Sequence, residues 1–176
     1  GGYLLTCCTV NAGNPFLGRY ADASRMGQDV GDGTWTLAEM AATWVSVASL
    51  FYRNSCLLPD PDSLGWCANM SEAENRLWAT LVLMVGGMCE IGGDLSRLAA
   101  AARRLLTRVA GLFGPCDKSA CEILGPGLGG LPGGLWRQRR GRHVLEAHIN
   151  WSGLPRKIAG SEGKRDLWTG KKVGAD

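Results

Sequence analysis

Residues 71–93, SEAENRLWATLVLMVGGMCEIGG, decide which fold the sequence predicts. Ser71 and Glu74 match the S-x-x-E pattern of a capping box, in which each side chain satisfies a backbone N–H at the start of a helix. The apolar periodicity that follows predicts a helix through about Val85. The short glycine-bounded run Gly86–Gly93 is typical of a buried strand. A helix followed by a strand is the alternation expected of an α/β protein.

The same alternation extends in both directions along the chain. Short runs rich in strand formers predict strands at Tyr3–Val10 and Ala21–Met26. A second capping box opens a predicted helix over Leu37–Tyr52, and a leucine-rich pattern predicts another helix after Asp94 or Ser96. About four βα units precede residue 114, and no hairpin signal separates them, which favours a parallel sheet. Four units are half of an eight-stranded (β/α)8 TIM barrel, which typically needs about 250 residues. Because a half barrel leaves two strand edges open, either a missing part or a homo-oligomer is expected to complete it.

The composition changes after residue 114. The segment 115–135 is rich in Gly and Pro and is predicted to be a linker, whereas residues 136–176 contain strand-like runs at His143–Trp151 and Asp166–Thr169. The predicted organisation is therefore a partial barrel over residues 1–114, the linker, and a small β-sandwich-like segment.

Charge is divided unevenly. Residues 1–100 carry 5 Lys/Arg and 10 Asp/Glu, whereas residues 101–176 carry 14 and 6. The densest basic run, residues 136–142, has one aromatic and no surrounding nucleic-acid module, so we interpret it as a solvated loop rather than a nucleic-acid site. His143 and His148 have no neighbouring metal-ligand pattern, so neither a metal nor a cofactor is expected. No apolar run is long enough to predict a membrane span.

Seven cysteines follow no zinc or redox spacing. Cys7 lies in an apolar strand-like run, where a thiol behaves as a small hydrophobe. Cys116 and Cys121 are close enough in sequence to pair, but reduced thiols are favoured, and with them, weakly, a cytoplasmic location.

Carboxylates cluster after the second predicted strand. Asp22, Asp29 and Asp32 surround Arg25, and an Asp just beyond a barrel strand lies on the catalytic face of that fold. Spacing alone favours helix caps or surface ion pairs for such residues over a catalytic role.

Several blocks resemble the α-galactosidase clan of retaining glycoside hydrolases. RMGQDV at 25–30, followed by GDGTW, resembles the clan's R-x-x-x-D…W segment, and DPDSL at 60–64 resembles its D-P-D-x-L. Residues 71–95 are similar to the last helix and strand of the barrel, and HINW at 148–151 with DLWTG at 166–170 to its C-terminal β-domain. These blocks occur in the family's order over nearly the whole chain.

The resemblance implies the last four βα units of the barrel and a double-displacement mechanism acting on a terminal α-linked sugar. Asp29 would be the general acid/base, and Arg25, Cys7 and Asp62 would contact the substrate. The clan's nucleophilic Asp belongs to a segment upstream of the first match, so we expect this chain to be inactive alone. Pro59 replaces the family's frequent Asn, and the loop 9–14 does not match clearly, which leaves the identity of the sugar open.

One alternative from another class is a non-catalytic module of the same ancestry that binds carbohydrate or a protein partner.

Overall fold

The fold is taken from a computed structural model of the chain. It describes residues 2–7, 18–25, 58–62, 64, 70–113, 121–124, 133–152, 154–158 and 163–174.

The first sheet is parallel and three-stranded. Its strands are β1 (Leu5–Thr6), β2 (Ala23–Arg25) and β3 (Leu58–Asp60), in the order β1-β2-β3. Ala23 lies level with Leu5 on one side and Leu58 on the other, and Arg25 is paired with Asp60. Further along the chain, residue 88 lies beside β3, where the Met88 N–H donates to the Pro59 carbonyl over 2.8 Å.

The second sheet is antiparallel and also three-stranded. It contains β4 (Glu122–Leu124), β5 (Leu135–Arg140) and β6 (His143–His148), in chain order. β5 and β6 form a hairpin whose turn contains Gly141 at a positive φ of 54°, a conformation that glycine adopts without strain. Both sheet types are therefore present in the described residues.

Two α-helices follow the parallel sheet. α1 (Glu72–Val85) begins with the predicted capping box: the Ser71 hydroxyl accepts from the Glu74 N–H, and the Glu74 carboxylate accepts from the Ser71 N–H. It ends at Gly86, which is left-handed, as C-terminal glycines commonly are. Asp94 caps a 3-10 helix (Leu95–Arg97), and α2 (Ala100–Leu112) follows without a side-chain cap.

The core forms around α1. Its buried side chains lie on more than one face, so the helix is enclosed rather than amphipathic; they are Trp78, Ala79, Leu81, Val82, Leu83 and Met84. One apolar cluster joins all of these except Leu83 to Leu64 near the parallel sheet, to Val109 of α2 and to Trp136 and Ala147 of the antiparallel sheet. Each large side chain buried in this way contributes roughly 1.5–3 kcal/mol, so α1 is the element on which the other parts pack.

The predicted partial (β/α)8 barrel is wrong. The described residues contain two α-helices and two small sheets, one parallel and one antiparallel, instead of four βα units. The glycine-bounded run after α1, predicted as a buried strand, is half-buried or exposed and is not one of the strands of the parallel sheet. β5 and β6 pack against α1. In a (β/α)8 barrel the helices form the outer ring, so one face of each would be exposed to solvent.

Two local predictions also need correction. The basic run 136–142 is not a loop: it supplies β5, with Trp136 and Gln138 buried and Arg137 exposed. Residues Asp166–Thr169 form a turn rather than a strand, because the Asp166 carboxylate accepts from the Trp168 N–H at 2.7 Å. The isolated bridge between Arg165 and Lys172 closes this segment, which we call the C-terminal turn (residues 165–172).

Of the remaining predictions, one is confirmed, others concern residues outside the described part of the chain, and the domain boundaries are untested. The helix predicted from Ser71 to about Val85 is confirmed. The second predicted capping box at Thr36 and the possible partner thiol Cys116 lie outside the described residues. The domain boundaries stay a prediction, although Glu122–Leu124 forms β4 within the predicted linker. No helix in the described part is long and apolar enough to span a membrane.

Acidification is expected to destabilise the antiparallel sheet through Glu146. Its hydrogen bond with Lys164, helped by Arg137, lowers the pKa of Glu146 below its ordinary value of 4.5 although burial opposes this. A carboxyl group with a lowered pKa in the folded state stabilises the protein above its unfolded pKa, and this contribution is lost as pH falls through the folded value.

We therefore expect the free energy of unfolding to fall below about pH 4.5, and to fall less steeply in Glu146→Gln than in the parent. Urea unfolding at a series of pH values measures both slopes. Glu122→Gln, an exposed carboxyl on β4, is the matched control. Equal slopes for Glu146→Gln and the parent would contradict the assignment.

Candidate functional site

The parallel register brings three residues to one edge of the sheet. Arg25 ends β2 and is paired with Asp60, which ends β3, and Cys7 follows Thr6, whose partner is the residue before Arg25. The three residues are therefore level with one another and point to the same face, since side chains alternate along strands. The carboxyl ends of parallel strands are where α/β proteins commonly bind ligands.

Arg25 is held by two carboxylates. Its Nε donates to Asp60 Oδ2 at 2.8 Å, and its Nη2 lies 2.9 Å from Asp62 Oδ1. The Asp60 side chain is fully buried, and those of Arg25 and Asp62 are 11% and 10% exposed. Buried groups of this kind are stable only when paired and hydrogen-bonded, so the three side chains act as a unit, called here the Arg25 cluster.

The electrostatics of the cluster keep the guanidinium charged. Burial by itself would lower the pKa of Arg25, but the hydrogen bond to Asp60 and the charges of Asp60 and Asp62 raise it above its ordinary value, and Cys7 adds to the effect. The influence of Cys7 is consistent with its position at the end of β1. The exposed Cys7 thus lies at the open side of the cluster.

The turn that follows β3 fixes both carboxylates. The Asp62 N–H donates to Asp60 Oδ1 over 2.8 Å, which closes a small ring around Pro61. Asp62 has φ of 73°, the positive value that non-glycine residues rarely adopt and that Asp tolerates better than most. Strained backbone of this type is concentrated at functional sites, and here it turns the Asp62 carboxylate back towards Arg25.

An aromatic side chain lies on the same face. Tyr3 precedes Leu5 and Cys7 at alternate positions of the chain, and it is 59% exposed. Burial, followed by the charges of Asp22, Asp60 and Glu90, raises its pKa, and its hydroxyl donates to Met88 Sδ over 3.4 Å. The face therefore combines an accessible ring with the charged cluster.

Two carboxylates against one guanidinium leave the cluster with a net negative charge. An anionic ligand such as a phosphate would be repelled, whereas neutral hydroxyl groups can donate to carboxylate oxygens and accept from a guanidinium. The arrangement thus suits a neutral polyhydroxyl ligand.

The structure brings three of the four predicted site residues near one another. Arg25 and Asp62 form an ion pair, Cys7 lies beside them at the end of β1, and Asp29 lies outside the described residues. Asp60 was missed as a site residue although it is the principal partner of Arg25. The signal for it was the repeated Asp of D-P-D, in which either carboxylate was an equal candidate.

Among the described residues, no group of three or more His, Cys, Asp or Glu side chains is arranged to hold a metal ion. No protein-family model matches the sequence, and a search of curated proteins gives no match either.

Proposed function

We propose that this chain carries the sugar-binding and proton-transfer part of a site that hydrolyses terminal α-linked sugars, of the α-galactoside type. The observation that carries the proposal is the Arg25 cluster. Three residues that the sequence resemblance assigns to one sugar site, Arg25, Cys7 and Asp62, lie together at the carboxyl ends of parallel strands.

The chemistry of the cluster supports a sugar ligand. The Asp62 carboxylate, pointing back to Arg25 from its positive-φ backbone, accepts from vicinal hydroxyls, and the rigid guanidinium orients it. Tyr3 offers an exposed ring against which the apolar face of a pyranose can pack, in keeping with the mixed aromatic and polar lining of ligand sites.

The proposed proton transfer belongs to Asp29, four residues after Arg25 in the sequence. In a retaining mechanism one carboxyl attacks the anomeric carbon, and the other protonates the leaving oxygen and then activates water. Asp29 takes the second role. No residue of this chain matches the clan's nucleophile, so binding without turnover is expected of the chain alone.

Binding is tested by titrating methyl α-galactoside into the chain and measuring heat or saturation-transfer NMR. A dissociation constant on the order of 1 mM is expected, equivalent to about 4 kcal/mol. Asp62→Asn should weaken binding about tenfold, since a charge-assisted hydrogen bond is lost, whereas Glu122→Gln removes the same charge far from the cluster and should change nothing. Equal affinity of Asp62→Asn and the parent would contradict the proposal, provided both show the same thermal transition.

Catalysis is tested with azide as an external nucleophile. Azide attacks the anomeric carbon, the bond to the leaving oxygen breaks, and Asp29 gives its proton to that oxygen, so a β-galactosyl azide forms from an alkyl α-galactoside. Asp29→Asn should slow this reaction about 100-fold. Sugar binding with no azide-dependent product would instead favour the non-catalytic module.

A further inference from the structure

A second candidate site lies between α2 and the C-terminal turn. A groove of about 1000 Å³ runs along the outer face of α2, and Trp168 of the C-terminal turn forms its opposite wall. The α2 positions that line it are 100, 103, 104, 107, 108, 111 and 112, whose spacing of three and four places them on one face. Its volume is that of a small-molecule site.

The groove is strongly basic. Arg103, Arg104 and Arg108 line it, and α2 contains no acidic residue. Arg104 and Arg108 are one turn apart, about 6 Å along the helix axis, and like charges at this spacing repel each other. A ligand with two adjacent negative groups would neutralise both.

The basic part of the groove ends at an acidic residue. A smaller continuation of the groove contains Arg76 and Glu72 of α1, which form an ion pair at 3.1 Å. Glu72 is the one acidic residue among the described groove-lining positions. From Arg103 to Arg108 the basic stretch measures about 7.5 Å along the helix, which accommodates two phosphates but not the backbone of a polymer.

Both walls are fixed before any ligand binds. Arg108 Nε donates to the Leu167 carbonyl at 2.9 Å, which ties α2 to the C-terminal turn and orients the guanidinium. The Asp166 carboxylate accepts from the Trp168 N–H, and the Trp168 ring packs partly against the core. A preorganised ring beside preorganised cations reduces the ordering cost of binding.

We propose that this groove binds a nucleoside diphosphate, with the two phosphates on Arg103, Arg104 and Arg108 and the base stacked on Trp168. Guanidinium forks match phosphate oxygens in geometry, and Thr107, whose hydroxyl can donate a hydrogen bond, also lines the groove. Stacking of a base on an aromatic side chain is worth about 1–3 kcal/mol. The groove shares no residue with the Arg25 cluster. Its proposed ligand is anionic, whereas the Arg25 cluster suits a neutral ligand.

Calorimetric titrations with ADP, pyrophosphate and adenosine, in EDTA and low salt, test the proposal. ADP should bind at least about tenfold more tightly than pyrophosphate or adenosine, because only ADP uses both walls. Arg104→Ala should weaken ADP binding about tenfold and Arg104→Lys less, since lysine keeps the charge without the fork. Trp168→Leu should reduce ADP to the affinity of pyrophosphate and leave pyrophosphate unchanged.

Arg142→Ala is the matched control, because Arg142 is exposed in the β5–β6 turn and does not line the groove. Absence of ADP binding at about 1 mM, equal affinities for ADP and pyrophosphate, or equal losses in Arg142→Ala and Arg104→Ala would overturn the proposal. If Trp168→Leu fails to fold, the indole N–H resonance of Trp168 in the parent chain, assigned with Trp168→Phe, must still shift with ADP and not with pyrophosphate.

Discussion

Gly87→Ala should lower the free energy of unfolding by about 3 kcal/mol, near the upper end of the usual cost of overpacking. A Cβ at Gly87 would lie 1.9 Å from the Pro59 carbonyl oxygen and 2.5 Å from its Cγ. The nearest atom is backbone, so a rotamer change cannot relieve the clash. The two segments must separate, which breaks the hydrogen bond from the Met88 N–H to the same carbonyl.

Gly111→Ala is the matched control for this substitution. A Cβ at Gly111 meets nothing within 4 Å, and alanine is favoured over glycine within a helix by up to about 1 kcal/mol. Chemical denaturation monitored by tryptophan fluorescence should therefore shift in opposite directions for the two variants. A Gly87→Ala variant within about 0.5 kcal/mol of the parent would show that residue 87 does not pack against β3.

The same substitution links stability to the candidate site. Pro59 is followed directly by Asp60, whose carboxylate holds Arg25, so displacement of Pro59 moves the principal partner of the guanidinium. Methyl α-galactoside binding should weaken in Gly87→Ala at temperatures where the variant is still folded, and should be unchanged in Gly111→Ala.

Local structure was predictable where the signal was local. The capping box at Ser71 and Glu74 and the left-handed Gly86 mark both ends of α1 because each depends on residues within one helical turn. The predicted strands at Tyr3–Val10 and Ala21–Met26 contain β1 and β2, since short apolar runs bounded by turn residues have few other conformations.

The fold class was not predictable in this way. The alternation of strand and helix patterns is shared by barrels and by smaller mixed folds, and nothing in a single segment states which surface covers α1. β5 and β6 pack against α1, but the arginine-rich sequence of β5 predicts a solvated loop. In the structure, buried Trp136 and Gln138 alternate with exposed Arg137, as in a strand with one buried face. The high density of arginine makes this alternation hard to recognise in the sequence.

The sequence resemblance groups the candidate site residues, but it does not give their geometry. Arg25, Cys7 and Asp62 are separated by long stretches of chain, and parallel pairing alone brings them level. The buried position of Asp60 depends on the strained turn at Asp62, which is a property of the assembled sheet rather than of the D-P-D sequence.

Arg140 joins the two helices to the antiparallel sheet. Neither α1 nor α2 has a basic residue in its last turn, although the carbonyls at a helix C-terminus favour a cation. Arg140 supplies it from β5: Nη1 donates to the Leu112 carbonyl at the end of α2, and Nη2 donates to the Leu83 carbonyl near the end of α1 over 2.8 Å. Its Nε donates to Gln138 Oε1 at 2.7 Å.

Arg140→Met should therefore lower the free energy of unfolding by about 3 kcal/mol, because two charge-assisted hydrogen bonds are lost at about 1.5–3 kcal/mol each and methionine recovers part of the packing. The free energy of unfolding of Arg140→Lys should lie between those of the parent and Arg140→Met, since an ammonium keeps the charge but not the fork that reaches both helices. Arg142→Met, an exposed arginine two residues away, should change stability by less than about 0.5 kcal/mol. Urea unfolding of the three variants gives the comparison, and equal losses for positions 140 and 142 would mean that the helix ends do not depend on β5.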